Sequence, residues 1–283
     1  VVLELHPDHT RVVYGWSTNR SQFKKRLKDA KKAGLDIEHD FYHYCARKIR
    51  NLMKVFPCER IGMDAQGGGV AVEEALHDPD KLHTGEKIIW QIIEDGKKKD
   101  TDTEPGLHIL EMVQFARSEW TGQANHGLRK DLEDSVLLFP RFDPITIGLA
   151  IEDDKRAAAG GDKTRLYDSL EDCVMEIEEL KDELSTIVMT KTSISGRDKW
   201  DTPEVKMPNG KKGRLRKDRY SAILIANMVA RSIMRATPPP QYGLIGGTSK
   251  TLSKDNSGNM YNGPDWYVKG VSQNICKGIN RRN

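Results

Sequence analysis

The feature that most constrains this chain is a short apolar strand that ends in a carboxylate and runs straight into glycine. Arg60-Ile61-Gly62-Met63-Asp64 is followed by Ala65-Gln66-Gly67-Gly68-Gly69, and residues 70–76 then take on helical character. Strand, glycine loop and helix in that order form the unit of α/β folds, which set functional groups at the carboxyl ends of parallel strands. Glycine also lets another backbone, or a phosphate, come close. Asp64 is therefore a candidate site residue, with a plain turn role as the competing reading.

The segments around this unit give the rest of the pattern. Residues 1–5 and 11–16 are apolar runs separated by His6-Pro7-Asp8-His9-Thr10, which predicts an antiparallel hairpin. Ser21 is a candidate cap for a basic helix over 22–33, closed by Gly34. A second helix is predicted over 37–55, stopped by Pro57, and a further strand over 87–92. Helices are expected over 106–118, 124–135 and 163–184, the last acidic on one side. Residues 186–195 are rich in β-branched side chains and read as a strand, and Pro208-Asn209-Gly210 as a turn. A strong helix over 217–235 ends before Pro238-Pro239-Pro240. The fold class expected is α/β: one mixed central sheet, antiparallel at one side and parallel beyond, flanked by helices.

Residues 1–240 read as one domain and 241–283 as an extended, partly disordered basic tail, because the tail has too few aliphatic residues to form a core. The opening Val1-Val2-Leu3-Glu4-Leu5 is already strand-like, which reads as a chain cut upstream. No stretch approaches the roughly 18 apolar residues of a membrane-spanning helix, so no membrane partner is expected. Cys45, Cys58, Cys173 and Cys276 show no zinc spacing and read as reduced thiols. His39 and His43 lack the HExxH pattern, and Gly67-Gly68-Gly69 is not a phosphate-binding ATPase loop.

With 45 basic and 42 acidic residues the net charge is only +3, so no global field selects a partner. Distribution says more. Residues 206–219 carry seven basic side chains (Lys206, Lys211, Lys212, Arg214, Arg216, Lys217, Arg219) and one acid, Asp218. A near-uniform basic run around one aspartate is what holding a phosphodiester against metal ions requires. A solvated loop leading into a helix-start aspartate is the plain alternative. Trp200, Trp266 and Tyr267 are candidate base-stacking residues on weaker grounds.

Taken in order, several of these segments resemble the nuclease domain of phage large terminase subunits, a ribonuclease H-like fold. The hairpin at 1–16 is similar to that fold's antiparallel strands. Residues 59–69 resemble its fourth strand, whose acid ligates metal. Residues 128–134 followed by 136–140 resemble a helix and short strand of these domains, and the acidic helix leading to 186–195 resembles the element before their β-hairpin. Lys217-Asp218-Arg219-Tyr220-Ser221-Ala222 resembles the helix that supplies the last metal-binding acid. The resemblance implies a two-metal endonuclease with Asp64 and Asp218 as catalytic metal ligands and two divalent ions, Mg²⁺ or Mn²⁺, as cofactors. It implies that Lys211, Lys212, Arg214, Arg216, Lys217 and Arg219 track double-stranded DNA. It further implies a terminase small subunit, a portal protein and an upstream ATPase domain as partners, in the host cytoplasm. A further aspartate belongs on a first strand that would precede Val1; Glu4 is not assigned its role. A junction resolvase, a transposase, or a non-catalytic DNA-binding or capsid-assembly module are the competing readings.

Overall fold

The computed structural model describes residues 1–94, 96, 100–115, 117–160, 169–191, 198–206 and 212–236 of the chain. The expected tail over 241–283, with Trp266, Tyr267 and Cys276, lies outside the described residues, as do the turn at 208–210, residues 163–168 and 192–195, and Lys211.

The N-terminal hairpin forms as the alternation requires. Strand β1 (Val2–Leu5) pairs antiparallel with β2 (Thr10–Tyr14), Leu3 opposite Val12 and Leu5 opposite Thr10. Helix α1 (Arg20–Ala33) follows and ends on Gly34, which adopts a left-handed conformation with φ 68°. Its cap is Asn19 rather than Ser21. The Asn19 side chain accepts from the Gln22 backbone at 2.9 Å while the Gln22 side chain accepts from the Asn19 N–H at 3.1 Å, so two orphan donors are satisfied reciprocally. Helix α2 (Phe41–Val55) begins four residues later than its apolar spacing suggested, because Asp40 caps the N–H groups of Tyr42 and His43.

Strand β3 (Ile61–Asp64), helix α3 (Gly68–His77), strand β4 (Ile89–Gln91) and strand β5 (Leu107–Val113) then build a parallel sheet in the order β3-β5-β4. The helix expected over 106–118 is therefore a correction. Residues 107–113 are the central strand of this sheet, and helix α4 (Ser118–Glu133) starts only afterwards. The segment Leu107-His108-Ile109-Leu110-Glu111-Met112-Val113 carries no clear period, and its position between two strands decided its form. Strand β6 (Leu137–Leu138) adds parallel to β2. Helix α5 (Pro144–Ala159), which periodicity did not reveal, starts at the Asp143 cap with Pro144 in its first turn. Helix α6 (Leu170–Thr186), two hairpins, β7 (Val188–Lys191) with β8 (Asp198–Asp201) and β9 (Glu204–Lys206) with β10 (Lys212–Arg214), and helix α7 (Asp218–Ala236) complete the described chain.

The chain is mixed α/β as expected, and its described strands lie in two three-stranded sheets, β1-β2-β6 and β3-β5-β4, besides the hairpins, rather than in one continuous sheet. Two helices join these sheets: α2, which packs Leu52 on the first core and Ala46, Ile49 and Met53 on the second, and α7. Tyr220, Ile223 and Leu224 of α7 enter the core beneath the first sheet, with Val12, Tyr14, Leu137, Ile177 and Leu180. Its Ile225 and Val229 pack with Val113 of the second. A helix apolar over most of its circumference must be buried on several sides, and Ala222-Ile223-Leu224-Ile225-Ala226 meets that condition. Among the described residues no helix is long and apolar enough to cross a membrane.

Polar contacts fix the angle at which α7 lies on α4. Asn227 donates to Asp131 at 2.8 Å, Arg231 bonds both Asp131 and the Gly127 carbonyl, and the Tyr220 hydroxyl donates to Asn125. Asp131, Asn125 and Asn227 are all buried. Replacing Asp131 by Ala leaves a guanidinium and an amide without their acceptor in that interface. The expected loss is about 3 kcal/mol, read by denaturant unfolding; a loss below about 1 kcal/mol would show that α7 is held by apolar packing alone.

Candidate functional site

Asp64 ends β3 at the carboxyl edge of the parallel sheet, opposite Val113 of β5. Its side chain is half-buried, and Oδ1 accepts the Gln66 N–H at 3.0 Å, which turns the chain out of the strand. The glycines that follow are there for steric reasons. Gly67 has φ 60°. A Cβ on Gly69 would sit 1.7 Å from the Asp64 carbonyl oxygen, so only glycine lets α3 begin directly against the end of the strand. The loop thus holds Asp64 in a fixed place. Gly69→Ala is expected to distort that end, with a loss of about 1–3 kcal/mol seen as a lower midpoint in urea; an unchanged midpoint would contradict this account of the loop.

Asp218 is the first residue of α7, and its side chain is exposed. The helix start is not capped by Asp218 but by Glu183 of α6, whose Oε2 accepts the Tyr220 N–H at 2.9 Å. Asp218 stands in the first turn, where its charge complements the helix macrodipole. The approach of α7 to β3 is set at Gly62. A Cβ there would lie 2.5 Å from Ile225 Cγ2 and 2.9 Å from Val229 Cγ2, so the helix rests directly on the strand two residues before Asp64. Asp218 lies seven residues before Ile225, about 10 Å along the helix.

The basic segment is arranged differently from a free phosphate-binding strip. Arg219 is half-buried among three glutamates of α6: it meets Glu176 at 2.8 Å and Glu183 at 3.0 Å, and it pairs with Glu179 as well. Burial works against its charge, but Glu176 and Glu183 outweigh that and raise its pKa. Arg214 and Lys217 both engage Asp201 of β8, Lys217 at 3.0 Å. Burial and the nearby Arg214 lower the Lys217 pKa. Lys212 and Arg216 are exposed, with no carboxylate partner among the described residues. The acidic residues of α6 and β8 were the missed signal. In sequence they looked like a solvated face, whereas folding brings Glu176, Glu179, Glu183 and Asp201 onto three of the six basic candidates.

Asp64 and Asp218 offer hard carboxylate oxygens, the donor chemistry that Mg²⁺ and Mn²⁺ prefer. Two carboxylates are an incomplete set, and among the described residues no group of three or more His, Cys, Asp or Glu is arranged to hold a metal ion. The described residues alone therefore do not fit a metal pair. Glu4 is turned to other partners, Arg11 at 2.7 Å and His6 at 3.2 Å. His43 bridges Asp40 and Asp78, at 3.1 Å to each, and so ties the start of α2 to the end of α3. Trp200 meets the His126 ring edge to face, where the β7–β8 hairpin docks on α4, and borders a mostly apolar groove of about 330 Å³ floored by Asn125, Leu128 and Tyr220. Among known protein families, curated proteins and solved structures, none matches this chain.

Arg219 has a consequence for stability that separates it from a DNA ligand. Arg219→Ala leaves Glu176 and Glu183 half-buried without a cation, and is expected to cost about 2–3 kcal/mol, measured by thermal unfolding. A surface phosphate-binding arginine would change stability by no more than about 0.5 kcal/mol, and that result would overturn the structural role.

Proposed function

We propose that the chain is a ribonuclease H-like nuclease domain that hydrolyses phosphodiester bonds of duplex DNA, of the kind found in phage large terminase subunits. One observation carries the reading. Helix α7 packs against both β1 and β3, and each of those strands is the end member of its sheet. One additional strand between them would merge β6-β2-β1 and β3-β5-β4 into a single mixed sheet under α7, antiparallel at the β1–β2 side and parallel at the other. In the ribonuclease H-like arrangement that central strand is the one carrying a further aspartate, and Asp64 and Asp218 supply the neighbouring acids. The reading thus accounts together for the divided sheet and the incomplete carboxylate set.

Asp64 is the ligand held most firmly, by the Gln66 N–H and the glycine turn; Asp218 is offered from the first turn of α7. Exposed Lys212 and Arg216 are available for phosphate contacts, and such contacts carry no base identity, so cleavage is proposed to be largely sequence-independent. Divalent metal would supply a site where a phosphodiester and water are brought together. The small subunit, portal and ATPase partners, and the host cytoplasm, belong to the same proposal.

The test is nicking of supercoiled plasmid by the intact polypeptide with Mn²⁺ or Mg²⁺. The proposal expects metal-dependent nicking that falls by about 100-fold or more in Asp64→Asn and in Asp218→Asn, with thermal midpoints unchanged because shape is preserved. Full activity in either variant would remove that residue from the site. Duplex binding without any cleavage would favour a non-catalytic DNA-binding module instead.

A further inference from the structure

Many lysines of this molecule have an acidic neighbour. Lys54, Lys81, Lys130, Lys155 and Lys181 each meet a carboxylate within 3 Å. Helix α1 differs. Lys24, Lys25, Lys28, Lys31 and Lys32 are all exposed, and none has a carboxylate within ion-pair distance among the described residues. At 100° per residue these five positions fall within about a third of the helix circumference. The opposite side holds the buried Phe23 and Ala30. The one acid on the helix, Asp29, sits at the margin of the lysine face, and the acids just beyond the helix face other partners: Asp36 lies 4.0 Å from His39, Glu38 pairs with Lys81 and Asp40 with His43.

The face is also held rigidly. Phe23 meets Phe41 edge to face at 5.7 Å and Tyr44 at 5.1 Å. Arg20 donates to the Tyr42 hydroxyl at 2.8 Å and Arg26 to the Tyr44 hydroxyl at 3.1 Å, so the two arginines lock α1 onto α2. The lysines are left pointing away from the body. The capping box at Asn19 and the left-handed Gly34 fix both ends of the helix.

We propose that the lysine face of α1 is a docking surface for the phosphate backbone of duplex DNA. The inference rests on the reading of the chain as a DNA-acting protein, and assigns the main electrostatic contact to α1 rather than to residues 206–219. From Lys24 to Lys32 the face extends about 12 Å, a length over which a duplex presents about seven phosphate charges. Five lysines without an acidic partner among the described residues oppose most of those charges. The helix has no second, apolar face to insert into a lipid surface, since Phe23 and Ala30 are consumed by packing on α2, so a membrane is the poorer match.

The experiment is a salt titration of binding to a short mixed-sequence duplex, in EDTA so that no cleavage intervenes. Wild type is compared with a variant carrying Lys24→Gln, Lys25→Gln, Lys28→Gln, Lys31→Gln and Lys32→Gln, and with Lys212→Gln/Arg216→Gln. Glutamine keeps helix propensity close to that of lysine, and far-ultraviolet circular dichroism checks that the helix persists. A triple variant at Lys24, Lys28 and Lys31 guards against a folding defect in the fivefold one. The expected result is a shallower slope of log affinity against log salt. Each lysine–phosphate pair removed should lower it by about 0.9, up to about 4.5 in the fivefold variant and about 2.7 in the triple. The reduction should be the same on an unrelated duplex, and smaller in Lys212→Gln/Arg216→Gln. Wild-type binding with an unchanged slope in both α1 variants overturns the surface while leaving the DNA reading intact. No duplex binding by wild type, or binding to anionic phosphatidylserine vesicles in its place, overturns both.

Discussion

The contact on which the rest of this structure depends is the seating of α7 on β3 at Gly62, with Ile225 and Val229 against the strand backbone. Two sheets that share no strand are held together in part because this helix buries different stripes of itself in each, as α2 does with Leu52 and Met53. Tyr220, Ile223 and Leu224 serve the β1-β2-β6 side, and Ile225 and Val229 the β3-β5-β4 side. Close packing makes this costly to alter. A methyl group on Gly62 would require the helix to lift, and the polar latch of Asp131, Asn227 and Arg231 on its α4 side resists any compensating rotation.

The same seating explains the form of the candidate site. Helix α7 crosses β3 at Gly62, two residues before the carboxyl end of the strand, and Asp218 starts the helix seven residues before that crossing, about 10 Å along its axis. Glu183 takes over the capping of α7 and Arg219 is drawn onto α6, while Asp218 stands exposed in the first turn of the helix. On the strand side, the turn through Gln66 and the close approach at Gly69 hold Asp64 still. Rigid placement of a carboxylate on regular elements, at the expense of two glycine-only positions, is what a preorganised site requires.

Much of this was legible in the sequence where the signal is local. The hairpin, α2, β3 with its glycine loop, and α7 all follow from turn residues, helical spacing and apolar runs. The central strand β5 was not legible as a strand, since Leu107 to Val113 has neither clear alternation nor a polar stripe and owes its form to strands on both sides. Helix α5 was missed because its exposed Ile145 and Leu149 blur the apolar stripe that periodicity needs. Asp64 and Asp218 stood out as residues, but the electrostatics around Asp218 did not. Arg214, Lys217 and Arg219 looked uncompensated in sequence only because their partners, Asp201, Glu176, Glu179 and Glu183, are brought to them by folding. The lysines of α1 are the converse: unremarkable as a charged helix in sequence, and distinctive once the chain is folded and no acid among the described residues pairs with them.

The central proposal is that Asp218 and Asp64 belong to one metal site. Paramagnetic broadening of backbone amide resonances during a Mn²⁺ titration tests it most directly, because Mn²⁺ broadens only the amides around the site it occupies. The account predicts that Asp64, Ala65 and Gln66 at the end of β3 and Asp218 and Arg219 at the start of α7 lose intensity together, at one Mn²⁺ concentration, with both effects abolished by Asp64→Asn. Broadening at only one of these two places, or first along the acidic face of α6, would contradict it.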